Sequence, residues 1–387
     1  MKRNLFKIAM LTVVSAATIS LASCGKDEDG NNNVSNDENA AAVAAQFVDH
    51  TVAPTYTNLA AAAEQLADQL AALKASPSQS ALNAACEKFL EAREWWEKSE
   101  AFLFGVAGDY GVDPHIDSWP LDEDAFTTLM NSPALLANLA GEDGDVVAGE
   151  QLGNALLGFH GIEYILFENG AAKSVANISD DEWTYVVAVA GDLRNRCYQL
   201  EVGWLGDAAP ASHIAKLDDM EMAYTVAGGD YSYGENMKNA GKAGSTYASR
   251  SAALMAIVQG SIDIADEVGS SKIGAAYTGE DVTYIESPYS KHSREDFYNN
   301  ILSIQNVWMG GVEGQRDNSK SLNNYIGALD ADLNSRVVTA ISTTLAKIQA
   351  MPVFVDNITD PRNGEAMEAC GELSEILDEV VDVLRKN

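Results

Sequence analysis

From Asn39 onward, apolar residues recur every three or four positions, the repeat of a helix with one buried face. Residues 39–74 are rich in Ala and Leu at this spacing, and Pro54 predicts a kink within them. A second helix is predicted over 78–104, where Leu82, Cys86, Phe89, Arg93, Trp96, Glu100 and Leu103 follow steps of four and three. Gly105, Gly108, Gly111, Pro114 and Pro120 predict a loop over 105–120, followed by a short helix near 121–139. Longer helices are expected over about 144–168 and 180–203. Residues 205–236 are dominated by Gly, Asp, Tyr and Ala with little periodicity, and read as a connection between two halves. Helical spacing returns at 237–268, 292–310, 318–350 and 360–386, with Phe297, Ile301, Ile304 and Trp308 marking one face. Few stretches alternate as strands do. The expected class is therefore all-α: two helical bundles packed side by side, 39–205 and 206–387.

The first residues follow a different pattern. Lys2, Arg3 and Lys7 precede an apolar run from Ile8 to about Ile19, shorter than the roughly 20 residues a membrane-spanning helix needs. The run ends in Leu21-Ala22-Ser23-Cys24, which resembles a bacterial lipobox. On that reading residues 1–23 are a removed signal peptide and Cys24 carries a lipid; the plainer alternative is an ordinary signal peptide with an incidental Cys. Residues 24–38 are poor in apolar side chains and predict a flexible tether. Within them, Gly25-Lys26-Asp27-Glu28-Asp29-Gly30 resembles the acidic export tag of surface lipoproteins in the Bacteroidetes. The expected address is the bacterial envelope, on a membrane through the N-terminal lipid, with the outer-membrane surface as one option.

Charge narrows the partners. The 387 residues carry 57 Asp and Glu against 25 Lys and Arg, a formal net charge of −32. Such a surface repels phosphate backbones, so nucleic-acid binding is not expected. Cys86, Cys197 and Cys370 match no zinc module, and buried free thiols are their plainest reading.

The segment Leu156–Phe167 is apolar nearly all round except for His160 and Glu163, which share a helix face at i, i+3. A buried carboxylate is costly unless paired, hydrogen-bonded or bound to a cation. Arg93 and Glu100 likewise lie on an apolar seam, flanking Trp96. One reading makes His160, Glu163 and Glu100 metal ligands, with Arg93 a neighbouring or anion-binding group. The other makes them structural pairs: His160 with Glu163, and Arg93 with Glu100 or Glu163. Gly158 and Gly161 weaken the helix but permit close backbone approach.

These segments resemble the imelysin-like family. Gly158-Phe159-His160-Gly161-Ile162-Glu163 is similar to its GxHxxE signature, and Arg93 to Phe102 to its RxxWxxSEAF segment. Val52-Ala53-Pro54-Thr55-Tyr56 and Ile116-Asp117-Ser118-Trp119-Pro120 resemble its Pro-Thr-Tyr turn and Trp-Pro loop. Glu286-Ser287-Pro288-Tyr289-Ser290, with Asp296-Phe297 and Asn300, resembles a further motif in the second half. The resemblance implies two helical domains whose motifs meet near one cleft, in an envelope protein tied to bacterial iron acquisition. Some members are classed as metallopeptidases, including an insulin-cleaving one; relatives serve as extracytoplasmic parts of iron-uptake systems.

Three function classes follow. Binding of iron, another divalent metal, haem or a chelate needs only an inward ligand set and a route in; Arg93 and Ser290 are the candidates to hold an anionic group. A metal-dependent peptidase needs a metal-bound water and a general base, yet the chain has five His and no HExxH pair. A nutrient- or glycan-binding surface lipoprotein would use aromatic platforms. Trp96 and Trp308 sit at core spacing, which leaves Trp119, in its Gly/Pro loop, as the exposed platform. Binding for iron uptake, with membrane components of the uptake system as partners, is the leading expectation.

Overall fold

The computed structural model describes residues 30–387. The lipobox, Cys24, the signal segment 1–23 and the first part of the expected tether lie outside the described residues.

The chain is all-α, as the periodicity predicts. Helix α1 (Gly30–Phe47) begins inside the stretch read as tether and buries Ala40, Val43, Ala44 and Phe47. It reaches Pro54 without a break in helical backbone. It runs through one π-helical turn, Val48–Val52, into α2 (Ala53–Ala75). Proline lacks an N–H, and the wider turn ahead of it accommodates the missing bond. Helix α3 (Gln79–Glu97) starts on a Ser78 cap and buries the seam Leu82, Cys86, Phe89, Arg93 and Trp96. It stops at Glu97, and Glu100 stands in a separate 3-10 turn, Glu100–Phe102.

The helix expected over 144–168 is interrupted. A short helix, Gly144–Gln151, and a 3-10 turn, Asn154–Leu156, precede α4 (Gly158–Leu166). Gly158 opens α4 with φ +64°. A Cβ there would lie 1.8 Å from the Ile116 carbonyl oxygen. The break is thus set by a distant segment, which local periodicity does not report. Strands β1 (Phe167–Glu168) and β2 (Ala171–Ala172) then form a small antiparallel hairpin through Asn169 and Gly170, both at positive φ.

Helix α5 (Asp180–Leu205) carries a full capping box at Ser179 and Glu182 and packs against α2, Gly144–Gln151 and α4. Residues 205–236, read as a connection between the halves, contain the short helix Ala211–Asp219 and the start of another, Tyr233–Lys238. The helix expected over 237–268 starts only at Arg250, after a turn with Gly241 and Gly244 at positive φ. This α6 (Arg250–Glu267) continues as a π-helical segment, Val268–Ile273. Helices α7 (Ser293–Trp308), α8 (Ala331–Gln349) and α9 (Pro361–Lys386) complete the second bundle, with α6 and α8 both packed on α9.

The two bundles share one apolar core, which runs without a break from Ala40 to Leu384. Helix α1 lies on α6, so the first described helix braces the second bundle, and α3 crosses α7. The turn Glu100–Phe102 packs on both α6 and α7. Polar side chains of the motifs are buried along this junction.

Candidate functional site

Arg93 is the hub of the junction. It projects from α3, its side chain 1% exposed, and its guanidinium stacks over Phe159 with Cζ 5.2 Å from the ring centre. It pairs with Asp117, with Glu97 at 2.6 Å, with Glu286 at 2.5 Å, and more loosely with Asp296 at 3.8 Å. These partners come from four places in the chain: α3 itself, the Trp-Pro loop, the start of the second-half motif, and the helix α7. Neither Glu100 nor Glu163, the two partners the sequence suggested, pairs with Arg93 among the described residues.

His160 and Glu163 do share a face of α4, with Nδ1 3.5 Å from Glu163 Oε2. The other imidazole nitrogen, Nε2, lies 3.0 Å from Asp117 Oδ1. Burial pulls the imidazole down, but the bonds to Asp117 and Glu163 outweigh it and lift its pKa to about 9. His160 is therefore held as an imidazolium between two carboxylates. The same Asp117 accepts a bond from Trp96 Nε1 at 2.7 Å. Burial raises the Asp117 carboxyl, yet Arg93 and His160 overcome it and hold the group well below its usual range. Trp96, wholly buried and stacked on Phe159, thus orients Asp117 and presents no face to a ligand.

Ser290 reaches across the junction. Its backbone N–H and its hydroxyl both donate to Glu163 Oε1, at 2.7 and 2.6 Å. The backbone that delivers it is strained: Ser287 has φ +51° and Lys291 φ +59°. Such conformations persist where the surroundings over-determine them, and they recur at functional sites. Ser290 thus holds a carboxylate of the protein, where the sequence reading gave it an anionic ligand.

Lys272, from the π-helical segment after α6, is the third base. Its Nζ lies 3.1 Å from Glu286 Oε1, 3.7 Å from Glu100 Oε1 and 3.9 Å from Glu97 Oε2. Burial lowers the ammonium, but Glu100, Glu286 and Glu97 outweigh it and keep it well above its ordinary value.

Six buried carboxyls (Glu97, Glu100, Asp117, Glu163, Glu286 and Asp296) thus face three buried bases, Arg93, His160 and Lys272. The excess of acid shifts the acid–base balance of the cluster. Burial pushes Glu97 and Glu100 well above the ordinary carboxyl range, although Arg93 and Lys272 act against it on Glu97 and Lys272 on Glu100. Burial likewise brings Asp296 to about 6, and burial with Asp117 nearby brings Asp113 to about 7. Two groupings place ligand atoms within 4.8 Å of one another: Asp117, His160 and Glu286; and Glu97, Glu100 and Asp117. His160, Glu163 and Glu100 do not form such a grouping among the described residues.

A cleft of about 220 Å³ opens onto this cluster, lined by Glu100, Asp113, Asp117, Trp119, Glu267, Lys272 and Tyr284. Trp119 is half-buried there, its ring centre 3.8 Å from that of Tyr284. The exposed platform expected of it is instead a wall of the cleft. A wider groove of about 650 Å³ lies between α3 and α7, lined by Glu87, Glu91, Glu94, His292, Glu295 and Asp296 among others.

Sequence reasoning missed five members of the cluster as site residues. Asp117, Glu286 and Asp296 lie inside the motif segments that carried the resemblance, and Glu97 stands at i+4 from Arg93. Lys272 gave no signal, because it lies beyond the helix expected to end at 268. Cys86, Cys197 and Cys370 are buried free thiols outside the cluster.

The fold and the site define a class: an all-helical protein whose two bundles close on a buried cluster of acids and bases. Residues 52–380 match the family model described as Imelysin, and the chain belongs to that family. Over 264 residues it is 30% identical to iron-regulated protein A of Synechococcus elongatus, a match covering 68% of this chain and 63% of that relative. The chain thus spans less than two thirds of that relative's length. A crystal structure described as an iron-regulated protein A precursor from Parabacteroides distasonis superposes with a TM-score of 0.77 at 28% identity, covering 90% of this chain and 95% of the other. An imelysin-like protein from Psychrobacter arcticum shares the fold, with a TM-score of 0.60 at 16% identity over 88% of this chain and 93% of the other.

Proposed function

We propose that the protein binds a hard cation, iron in the first instance, at the carboxylates of the interbundle cleft, and that it serves iron uptake in the bacterial envelope by binding. The observation that carries this is the unbalanced cluster: six buried carboxyls against three bases, with Glu100 and Asp117 also lining the cleft. Oxygen-rich donor sets suit hard cations, and a bound ion would offset the burial that raises Glu97, Glu100 and Asp113. The names of the cyanobacterial and Parabacteroides relatives support iron as the cargo. His160 would act through Asp117, fixing the carboxylate that an ion meets. The leader and Cys24 support lipid attachment in the envelope, and iron-uptake membrane components are the natural partners.

The cleft favours an ion over haem. Its volume of about 220 Å³ is below the ~300–1,000 Å³ of small-molecule pockets. The wider groove would set haem propionates against Glu87, Glu91, Glu94 and Glu295. Peptide hydrolysis would need a free general base, and His160 has a carboxylate facing each of its nitrogens.

Calorimetric titration with ferrous, ferric, manganous and zinc ions and with haem tests the reading. Saturable binding of an ion is expected, with protons released into the buffer. Asp117→Asn and Glu100→Gln should each weaken it tenfold or more. Absence of ion binding, or binding indifferent to both substitutions, would sink the proposal.

A further inference from the structure

Lys272 occupies an unusual place. The π-helical segment Val268–Ile273 carries it, and such turns recur where a helix serves a function beyond packing. Its side chain is 1% exposed, yet it forms part of the cleft wall beside Glu100, Asp113 and Asp117. Its ammonium touches Glu286 of one ligand grouping and Glu97 and Glu100 of the other. Those are carboxylates that an ion in one or other grouping would take. The cluster also has acceptor capacity that the bases leave unused: Glu286 is wholly buried, and its Oε2 has no hydrogen-bond partner.

Arg93 and Lys272 differ in kind. Arg93 is a planar fork held by carboxylates on several sides and does not line the cleft. Lys272 is a point charge on a flexible stem, and its three carboxylate contacts are 3.1 Å or longer. A divalent ion entering the cluster meets like charge at close range in a medium where such repulsion is poorly screened. Arg93 has nowhere to go, whereas Lys272 has the cleft beside it.

We infer that Lys272 is a tethered counter-ion of the cation site: its ammonium stands at the carboxylates an incoming divalent ion takes, and it swings toward the cleft as the ion binds. It sets the ion concentration at which the site fills and helps the ion leave. This rests on the cluster being a cation site. Removing the ammonium should therefore tighten binding and make the fold lean on the ion, because the carboxylates left behind have lost a partner.

The test compares the full chain with Lys272→Met, Lys272→Gln and Lys272→Arg, by calorimetry with ferrous and manganous ions and by thermal melts with and without them. Lys272→Met is expected to bind at least tenfold more tightly than the natural protein, with a larger rise in Tm on adding ion, while Lys272→Arg binds no more tightly. Binding by Lys272→Met alone would sink the cation reading of the natural protein, and the inference with it. If Lys272→Met folds only when ion is present, the inference is supported. If it fails to fold even with ion, Lys272→Gln decides: tighter binding supports the inference and unchanged binding overturns it. Equal or weaker binding in the neutral variants, with the natural protein still binding, overturns the inference and leaves the cation site standing. No binding by any of the chains overturns both.

Discussion

Gly158 shows how a single residue fixes the site. Its φ of +64° lies where side chains are disfavoured, and a Cβ would meet the Ile116 carbonyl oxygen at 1.8 Å and its carbonyl carbon at 2.2 Å. Ile116 precedes Asp117, and Gly158 stands two residues before His160, so this approach brings Asp117 and His160 to within 3.0 Å. Gly158→Ala should therefore cost about 3 kcal/mol or more of unfolding free energy, combining backbone strain and displaced packing. Chemical denaturation would measure it; a loss under about 1 kcal/mol would show that the Ile116 segment can move aside. The residues legible beforehand were those that interrupt an apolar stripe, where a charge must have a reason. Arg93, Glu100, His160 and Glu163 stand out that way. Asp117, Glu286 and Lys272 sit in irregular or π-helical backbone, with no stripe to stand out against, and only the fold shows what they face.

At the level of elements, periodicity located helices well and their breaks poorly. Helices α5, α7 and α9 lie close to their predicted spans, and α3 starts where expected but stops at Glu97, because caps and apolar seams are local features. The segment 144–168 and the start of α6 were misread for a different reason: their breaks answer to tertiary contact at Gly158 and to turn chemistry at Gly241 and Gly244. The capping box of α5 is the local feature with most structure behind it. Ser179 Oγ accepts from the Glu182 N–H at 3.3 Å, and Glu182 Oε2 accepts from the Ser179 N–H at 2.7 Å. The 26-residue helix that follows is the spine of the first bundle. Ser179→Ala should lower stability by about 1 kcal/mol with an unchanged denaturant slope and unchanged ion binding. A loss of ion binding would mean that the start of α5 is coupled to the cleft, for which no contact gives a reason.

For the whole molecule, the junction between bundles makes stability depend on protons. The folded chain holds a proton on His160 with a pKa of about 9, against 6.5 for the free side chain. The stabilisation this brings is fully present below about pH 6.5 and is lost as pH rises through 9. Its full size is about 3 kcal/mol. Asp296 and Asp113 act in the same direction. Their folded values of about 6 and 7 stand above the ordinary 3.8, so their contribution is greatest below 3.8 and fades as pH rises through 6 to 7. Asp117 is shifted the opposite way, and it gives up its stabilisation only in acid far below this window. The unfolding free energy should therefore fall steadily from pH 5.5 to 9, even though the excess of surface acid is already fully ionised over that range. Denaturant melts at pH 5.5, 7 and 9 would measure the fall, and His160→Gln should flatten only its upper part. A flat or rising profile would mean that the buried carboxyls are ionised throughout and are balanced by something other than protons.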